Sequence, residues 1–378
     1  MKISLARAVS VFVLVLLSAC GGGDDRIQFT SVVSFGDSLS DVGTYKVGTV
    51  AALNGGKFTV NGTGGDVWTE FLAASLNTPA QCAARTGMLP NVAGVTGAPV
   101  QDFASCFNYA QGSSRVTSSG TGPNGVALQQ FGQQNLGFMA DSLNDQFNRH
   151  LAKVNGAYTG RELVTVNAGG NDLFMQLNGI GSAAGGGAAA AAGATIAGWP
   201  QSTIATVTAG GSAATNAAAS AAVAAMGQAG GELAGYIKAL VIGKGARFVL
   251  VRTLGDVNVT PFGLSLDAGT RGLITAMTQA FNGQLKAGLD GTSGVAILDD
   301  YALTADIAAN PAKYGYTNIT DQSCGPNAFS SSIVCNTGNL IAGDTSHYAF
   351  SDSVHPTPYS HQKESESALA LLREFGWR

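Results

Sequence analysis

Apolar positions along the chain fall into two rhythms that alternate. Residues 29–35 form a short Val-containing apolar run, the pattern of a buried strand, and it ends at Gly36-Asp37-Ser38. Residues 67–76 space their apolar side chains helically. Residues 107–110 are a short strand candidate. Residues 142–154 predict an amphipathic helix, with Leu143, Phe147, Leu151 and Val154 on one side. Strands follow at 163–167, ending at Gly169-Gly170-Asn171-Asp172, and then at 246–254 and 295–298. Residues 358–375 predict a closing helix with Pro358 in its first turn. Alternating strands and helices predict an α/β fold, a mostly parallel sheet between two helical layers. No linker divides residues 30–378 into two cores.

One stretch breaks this rhythm. Residues 173–231 carry no charged side chain and are dominated by Ala and Gly. Propensity predicts a helix over 213–226, whereas the glycines and Pro200 predict loop over 182–208. The plainer expectation for the insertion around 180–230 is low complexity without chemistry. The sharper one is a lid or a surface that meets apolar substrate. Many glycines and weakly apolar alanines argue against a membrane span.

Composition narrows the functional classes. The chain has 378 residues, 45% hydrophobic but only 12% charged, with a formal net charge of -4. No Lys/Arg run gives it an electrostatic footprint for nucleic acid. The N-terminus reads as an address. Lys2 and Arg7 precede a short apolar run at 9–17, and Leu17-Ser18-Ala19-Cys20 follows. This resembles a bacterial lipoprotein signal. The resemblance implies removal of residues 1–19, lipidation of Cys20, and a tether over 20–29. Gly21 stands where an Asp would retain such proteins at the inner membrane, so the resemblance implies an exported lipoprotein at the outer membrane or cell surface.

Cys20 also accounts for the odd cysteine among 5. The remaining Cys82, Cys106, Cys324 and Cys335 allow three connectivities. Export makes disulfides the default, and Cys82–Cys106 with Cys324–Cys335 closes the shorter loops. No Cys-x-x-Cys spacing supports a metal site, and none is expected.

Candidate chemistry concentrates where strands end. Ser38 follows the first strand in a glycine-containing turn, but a serine is a weak nucleophile without a neighbouring base. Near the other end, Asp352-Ser353-Val354-His355-Pro356-Thr357 places a carboxylate three residues before an imidazole. That spacing lets Asp accept from Nδ1 while Nε2 faces a serine. Asp344-Thr345-Ser346-His347 repeats the spacing eight residues upstream. His150 and His361 lie on predicted helices and read as packing or surface residues.

These residues resemble the GDSL, or SGNH, hydrolase family of serine esterases and lipases. Residues 35–40 are similar to its first block, Asn108-Tyr109-Ala110-Gln111-Gly112 to its second, Gly169-Gly170-Asn171-Asp172 to its third, and residues 352–357 to its last. Four short blocks in family order are specific where one would be weak. The resemblance implies a flavodoxin-like three-layer α/β/α sandwich without cofactor or metal. Ser38, Asp352 and His355 would form the triad, with the pair at Asp344 and His347 excluded. The Ser38 N–H, the Gly112 N–H and the Asn171 amide would form the oxyanion hole. Asp37 and Asp172 would hold their loops. The expected activity is hydrolysis of acyl esters through an acyl-enzyme, rising with pH through the ionisation of His355 at about 6 to 7. Lipase, lysophospholipase and short-chain esterase all remain open. An O-acetyl esterase on glycans is the alternative chemistry, and a non-catalytic surface-binding lipoprotein the alternative class. Oligomeric state is not legible.

Overall fold

The computed structural model describes residues 27–116, 129 and 134–378. The segment expected to be a signal, residues 1–19, and Cys20 lie outside the described residues.

Four strands form the central sheet: β1 (Val32–Gly36), β4 (Leu163–Asn167), β5 (Phe248–Arg252) and β6 (Val295–Leu298). They pair in that order and all parallel. A two-stranded antiparallel unit, β2 (Arg85–Met88) with β3 (Ala98–Asp102), lies between β1 and β4 in sequence. A short parallel pair, β7 (Asn318–Gln322) with β8 (Tyr348–Phe350), precedes the last helix. The helices are α1 (Gly48–Ala52), α2 (Trp68–Ser75), α3 (Leu143–Lys153), α4 (Gly170–Ala183), α5 (Gly187–Ile196), α6 (Gln201–Ala209), α7 (Gly211–Tyr236), α8 (Pro261–Leu264), α9 (Ala268–Leu289), α10 (Asp300–Ala309) and α11 (Pro358–Glu374).

Strand periodicity separates the two faces of the sheet. Val33, Phe35, Val164, Val166, Val249 and Val251 pack against α3, α4, α7 and α9. Val32, Leu163, Leu250 and Ala296 pack on the other side against α2 and α11. This is the expected three-layer α/β/α sandwich, with strands buried on both faces as a parallel sheet requires.

The Ala/Gly-rich insertion departs from expectation. Residues 182–208, expected as loop, form the end of α4 and most of α5 and α6, and the helix expected at 213–226 extends over all of α7. Alanine propensity outweighs the scattered glycines within the helices. Glycines stand at the breaks, where Gly186, Gly198 and Gly210 all have positive φ. Others permit close packing, since a Cβ on Gly230 would lie 2.2 Å from the Phe281 carbonyl oxygen of α9. The strand expected at 107–110 shrinks to two isolated parallel bridges from Asn108, one to Ser34 and one to Ala83. No helix among the described residues is long and apolar enough to cross a membrane.

Candidate active site

The turn after β1 is built for close approach. A Cβ on Gly36 would lie 2.4 Å from the Asn167 carbonyl oxygen, so only glycine lets β1 and β4 meet there. The Gln146 side chain brackets Gly36, accepting from its N–H at 2.9 Å and donating to its carbonyl at 2.8 Å. Asp37 then accepts from the Leu39 N–H at 3.1 Å, which closes the turn around Ser38. Asp37 thus holds its loop as expected. Burial pushes its carboxyl up to about 6, although the Leu39 N–H and His355 pull the other way.

His355 Nε2 lies 2.9 Å from Ser38 Oγ, although 317 residues of sequence separate them. On its other side, His355 Nδ1 lies 2.8 Å and 2.9 Å from the two Asp352 oxygens. Asp352 is fixed from three further directions. Its Oδ1 accepts the N–H groups of Val354 and His355 at 3.0 and 2.8 Å, and its Oδ2 accepts that of Ser332 at 2.7 Å. The Phe58 ring lies against the imidazole, with centroids 5.0 Å apart. Burial alone would raise the Asp352 carboxyl, but His355 and these donors outweigh it and hold it far below the usual carboxylate range. Burial alone would make His355 less basic, but Asp352 outweighs it and raises His355 above an ordinary histidine. A hydroxyl, an imidazole and a carboxylate in this order can pass a proton from the serine and stabilise the resulting imidazolium.

The similar pair upstream does not reach Ser38. Asp344 accepts from the Ser346 N–H at 3.0 Å, and the His347 ring stacks on Tyr359 at 4.3 Å. His150 and His361 are both buried.

The donor side requires one correction. Gly112, expected to offer its N–H to an oxyanion, instead donates it to Asp41 Oδ2 at 2.9 Å. Its missing Cβ serves packing, because a Cβ there would lie 2.3 Å from the Phe58 ring. The next residue, Ser113, lines the cavity above Ser38 with a left-handed φ of 73°. Asn171 also lines the cavity, close to the N-terminus of α4. Its Nδ2 donates to the Ser114 carbonyl at 2.9 Å, which orients the amide. An amide nitrogen has a second N–H to offer. Asp172 accepts from the Val116 N–H at 2.9 Å and so ties α4 to the same loop.

The cavity around Ser38 has a volume of about 400 Å³. Its apolar wall includes Leu39, Phe138, Phe174, Leu254 and Phe262. Phe174 of α4 and Phe262 of α8 meet edge to face at 5.5 Å. Among the described residues, no group of three or more His, Cys, Asp or Glu side chains is arranged to hold a metal. Both cysteine pairs are bonded as expected, Cys82 to Cys106 and Cys324 to Cys335.

With this geometry in place, comparison with known proteins identifies the class. The profile of the GDSL-like Lipase/Acylhydrolase family matches residues 32–367, and the chain belongs to this family. Two GDSL esterases/lipases of Arabidopsis thaliana are similar in part. One is 28% identical over 127 residues, covering 31% of this chain and 34% of that protein. The other is 31% identical over 65 residues, 17% of each. The matched stretches therefore span about a third of one relative and about a sixth of the other. Among solved structures, an extracellular lipase from Streptomyces rimosus aligns over 91% of this chain and 99% of its own, at 15% identity and a TM-score of 0.40. A phospholipase A1 from Streptomyces albidoflavus aligns over 92% and 99%, at 14% identity and the same TM-score of 0.40.

Proposed function

We propose that the chain is a serine esterase that cleaves acyl esters with an apolar acyl or alcohol chain, through a covalent acyl-enzyme. The observation that carries this reading is the unbroken contact series from Ser38 Oγ through His355 to Asp352. His355 takes the Ser38 proton as Oγ attacks the acyl carbon. The carbonyl electron pair moves onto oxygen, where the N–H groups of Ser38 and Ser113 and the Asn171 amide receive it. The C–O bond to the alcohol then breaks, and the alcohol leaves with the proton from His355. Water attacks the acyl-enzyme with His355 again as base, and Ser38 is regenerated.

The walls support an acyl-ester substrate over an acetylated glycan. A sugar needs polar groups around its ring, and here aromatic and aliphatic side chains form much of the cavity surface. A cavity of about 150 Å³ holds benzene, so about 400 Å³ suits an ester of very roughly 16 heavy atoms.

The same reading places the enzyme at the bacterial outer membrane through lipid on Cys20. The sequence around Cys20 supports this. Metabolic labelling with an alkyne fatty acid, beside Cys20→Ser, tests it.

The test of the activity is hydrolysis of p-nitrophenyl esters from acetyl to palmitoyl. Turnover that peaks at intermediate chain length and vanishes in Ser38→Ala is the expected result. A folded enzyme that cleaves acetylated glycans but no alkyl ester would replace this substrate class with the glycan one.

A further inference from the structure

Part of the catalytic cavity's lining is a charged cluster, Arg252, Asp300 and Glu364, to which the proposed reaction assigns no step. Arg252, at the end of β5, is only 3% exposed. Its Nε donates to Asp300 Oδ2 of α10 at 2.7 Å, and its Nη1 to Glu364 Oε2 of α11 at 3.1 Å. His361 Nδ1 meets the same Glu364 oxygen at 3.2 Å. The guanidinium lies over the Trp68 ring at 4.6 Å, and the Trp68 indole donates to Ser40 Oγ at 2.9 Å. Arg252 therefore touches both halves of the site through one intermediary each. Trp68 leads to the turn that carries Ser38. Glu364 leads to the helix that begins at Pro358, directly after the segment bearing His355.

Burying these charges is costly. Replacing a buried ion cluster by neutral groups of similar volume is often neutral or stabilising, so cohesion alone does not account for it here. What the cluster supplies and an apolar core does not is direction. The Arg252 fork fixes the angles at which two carboxylates and one indole meet. The cluster's two carboxyls respond differently to burial, which pushes Asp300 up to about 7 despite Arg252. Glu364 is held down to about 2, with Arg252 outweighing desolvation.

We propose that Arg252 is a positioning residue, which holds the Ser38 turn and the His355 segment in mutual register across the cavity floor. The proposal rests on Ser38 and His355 acting as nucleophile and base. It enters the reaction through geometry alone, because a small misplacement of reacting groups can cost about 100-fold in rate.

Two variants test it. Trp68→Phe retains an aromatic surface under Arg252 and removes only the N–H to Ser40. Arg252→Met combined with Asp300→Asn and Glu364→Gln replaces all three ionisable groups together and leaves an acceptor for His361. Each is compared with wild type for thermal midpoint, for kcat and KM on a p-nitrophenyl ester, and for the rate at which an alkyl fluorophosphonate labels Ser38. The expected result is a folded protein whose kcat and labelling rate fall about tenfold or more while KM stays within about twofold. A kcat and labelling rate within twofold of wild type in folded Trp68→Phe overturns the proposal, whether or not the triple variant folds. A loss confined to KM also overturns it. A wild type that neither labels nor turns over any ester refutes the serine-esterase reading itself, a distinct outcome.

Discussion

Ser332 donates its backbone N–H to Asp352 Oδ2 at 2.7 Å, and Ser332 sits three residues before Cys335. The partner cysteine is tied to the same segment, since the Cys324 N–H donates to the Ser351 carbonyl at 2.9 Å. The Cys324–Cys335 bond therefore braces the loop that orients the carboxylate behind His355. Opening it by Cys324→Ser with Cys335→Ser removes roughly 3 kcal/mol of loop-closure stabilisation. The expected result is a lower thermal midpoint and a lower kcat at 25 °C on protein that is still folded. Unchanged kcat in the folded variant would show that the brace serves stability alone.

Asp352 holds the tautomer of His355 and raises its basicity. Asp352→Asn is expected to lower kcat by about 10⁴, since the imidazole then presents the wrong nitrogen. Residual turnover is expected to come from the oxyanion donors. Steady-state kinetics with an active-site titration checks this.

The pH dependence follows from the same pair. His355 must be neutral to accept the Ser38 proton, and its pKa is raised. Activity is therefore expected to rise through a midpoint above about 6.5, the ordinary histidine value, rather than at or below it. Neutralising Asp37, whose charge also favours protonated His355, should move that midpoint down. A kcat/KM profile of wild type and Asp37→Asn reads both. A flat profile from pH 5 to 8, with chemistry rate-limiting, would contradict His355 as base.

On the donor side, Asn171→Ala is expected to cost on the order of 100- to 1000-fold in kcat. Gly112 and Ser113 should separate cleanly. Gly112→Ala drives a Cβ into Phe58 and should destabilise by roughly 1–3 kcal/mol. Ser113→Gly keeps the N–H and relieves a left-handed φ, so kcat should stay within about twofold.

His150 predicts an acid-sensitive core. Its ring packs against Tyr158 with centroids 4.6 Å apart, and its Nδ1 meets the Tyr109 hydroxyl at 3.1 Å. Burial lowers its pKa to about 4. The unfolded chain thus binds the proton at higher pH than the folded one. The stability from neutral His150 is whole above about pH 6.5 and is lost as pH falls toward 4, on the order of 3 kcal/mol. Asp37 and Asp41, raised to about 6, act with the opposite sign, so the difference between proteins is the clean measure. Urea unfolding from pH 7 to 4 should show a shallower acid loss in His150→Gln than in wild type.

Much of this was legible in the sequence because it rests on local pattern. The parallel strands announced themselves as apolar runs, and Ser38, Asn171, Asp352 and His355 each sit in a short recognisable block. What stayed hidden depends on long-range geometry. The family resemblance implied Gly112 as a donor, yet only the fold shows that Asp41 has taken its N–H and that Phe58 fills the space a Cβ would need. Ser332 contributes a main-chain N–H group to Asp352, which no side chain advertises. Arg252 is a lone charge at a strand end whose partners lie 48 and 112 residues away. The helices α5 and α6 were masked by glycines that turn out to sit largely at breaks or at close packing contacts.

The central claim is that Ser38 carries the acyl group. The most direct measurement is intact mass and peptide mapping after reaction with an alkyl fluorophosphonate, in parallel with ester hydrolysis, for wild type and Ser38→Ala. The account predicts one adduct, on the peptide containing Ser38, formed at the rate at which hydrolysis is lost, with neither adduct nor turnover in Ser38→Ala. An adduct on another residue, or undiminished hydrolysis by Ser38→Ala, would contradict it.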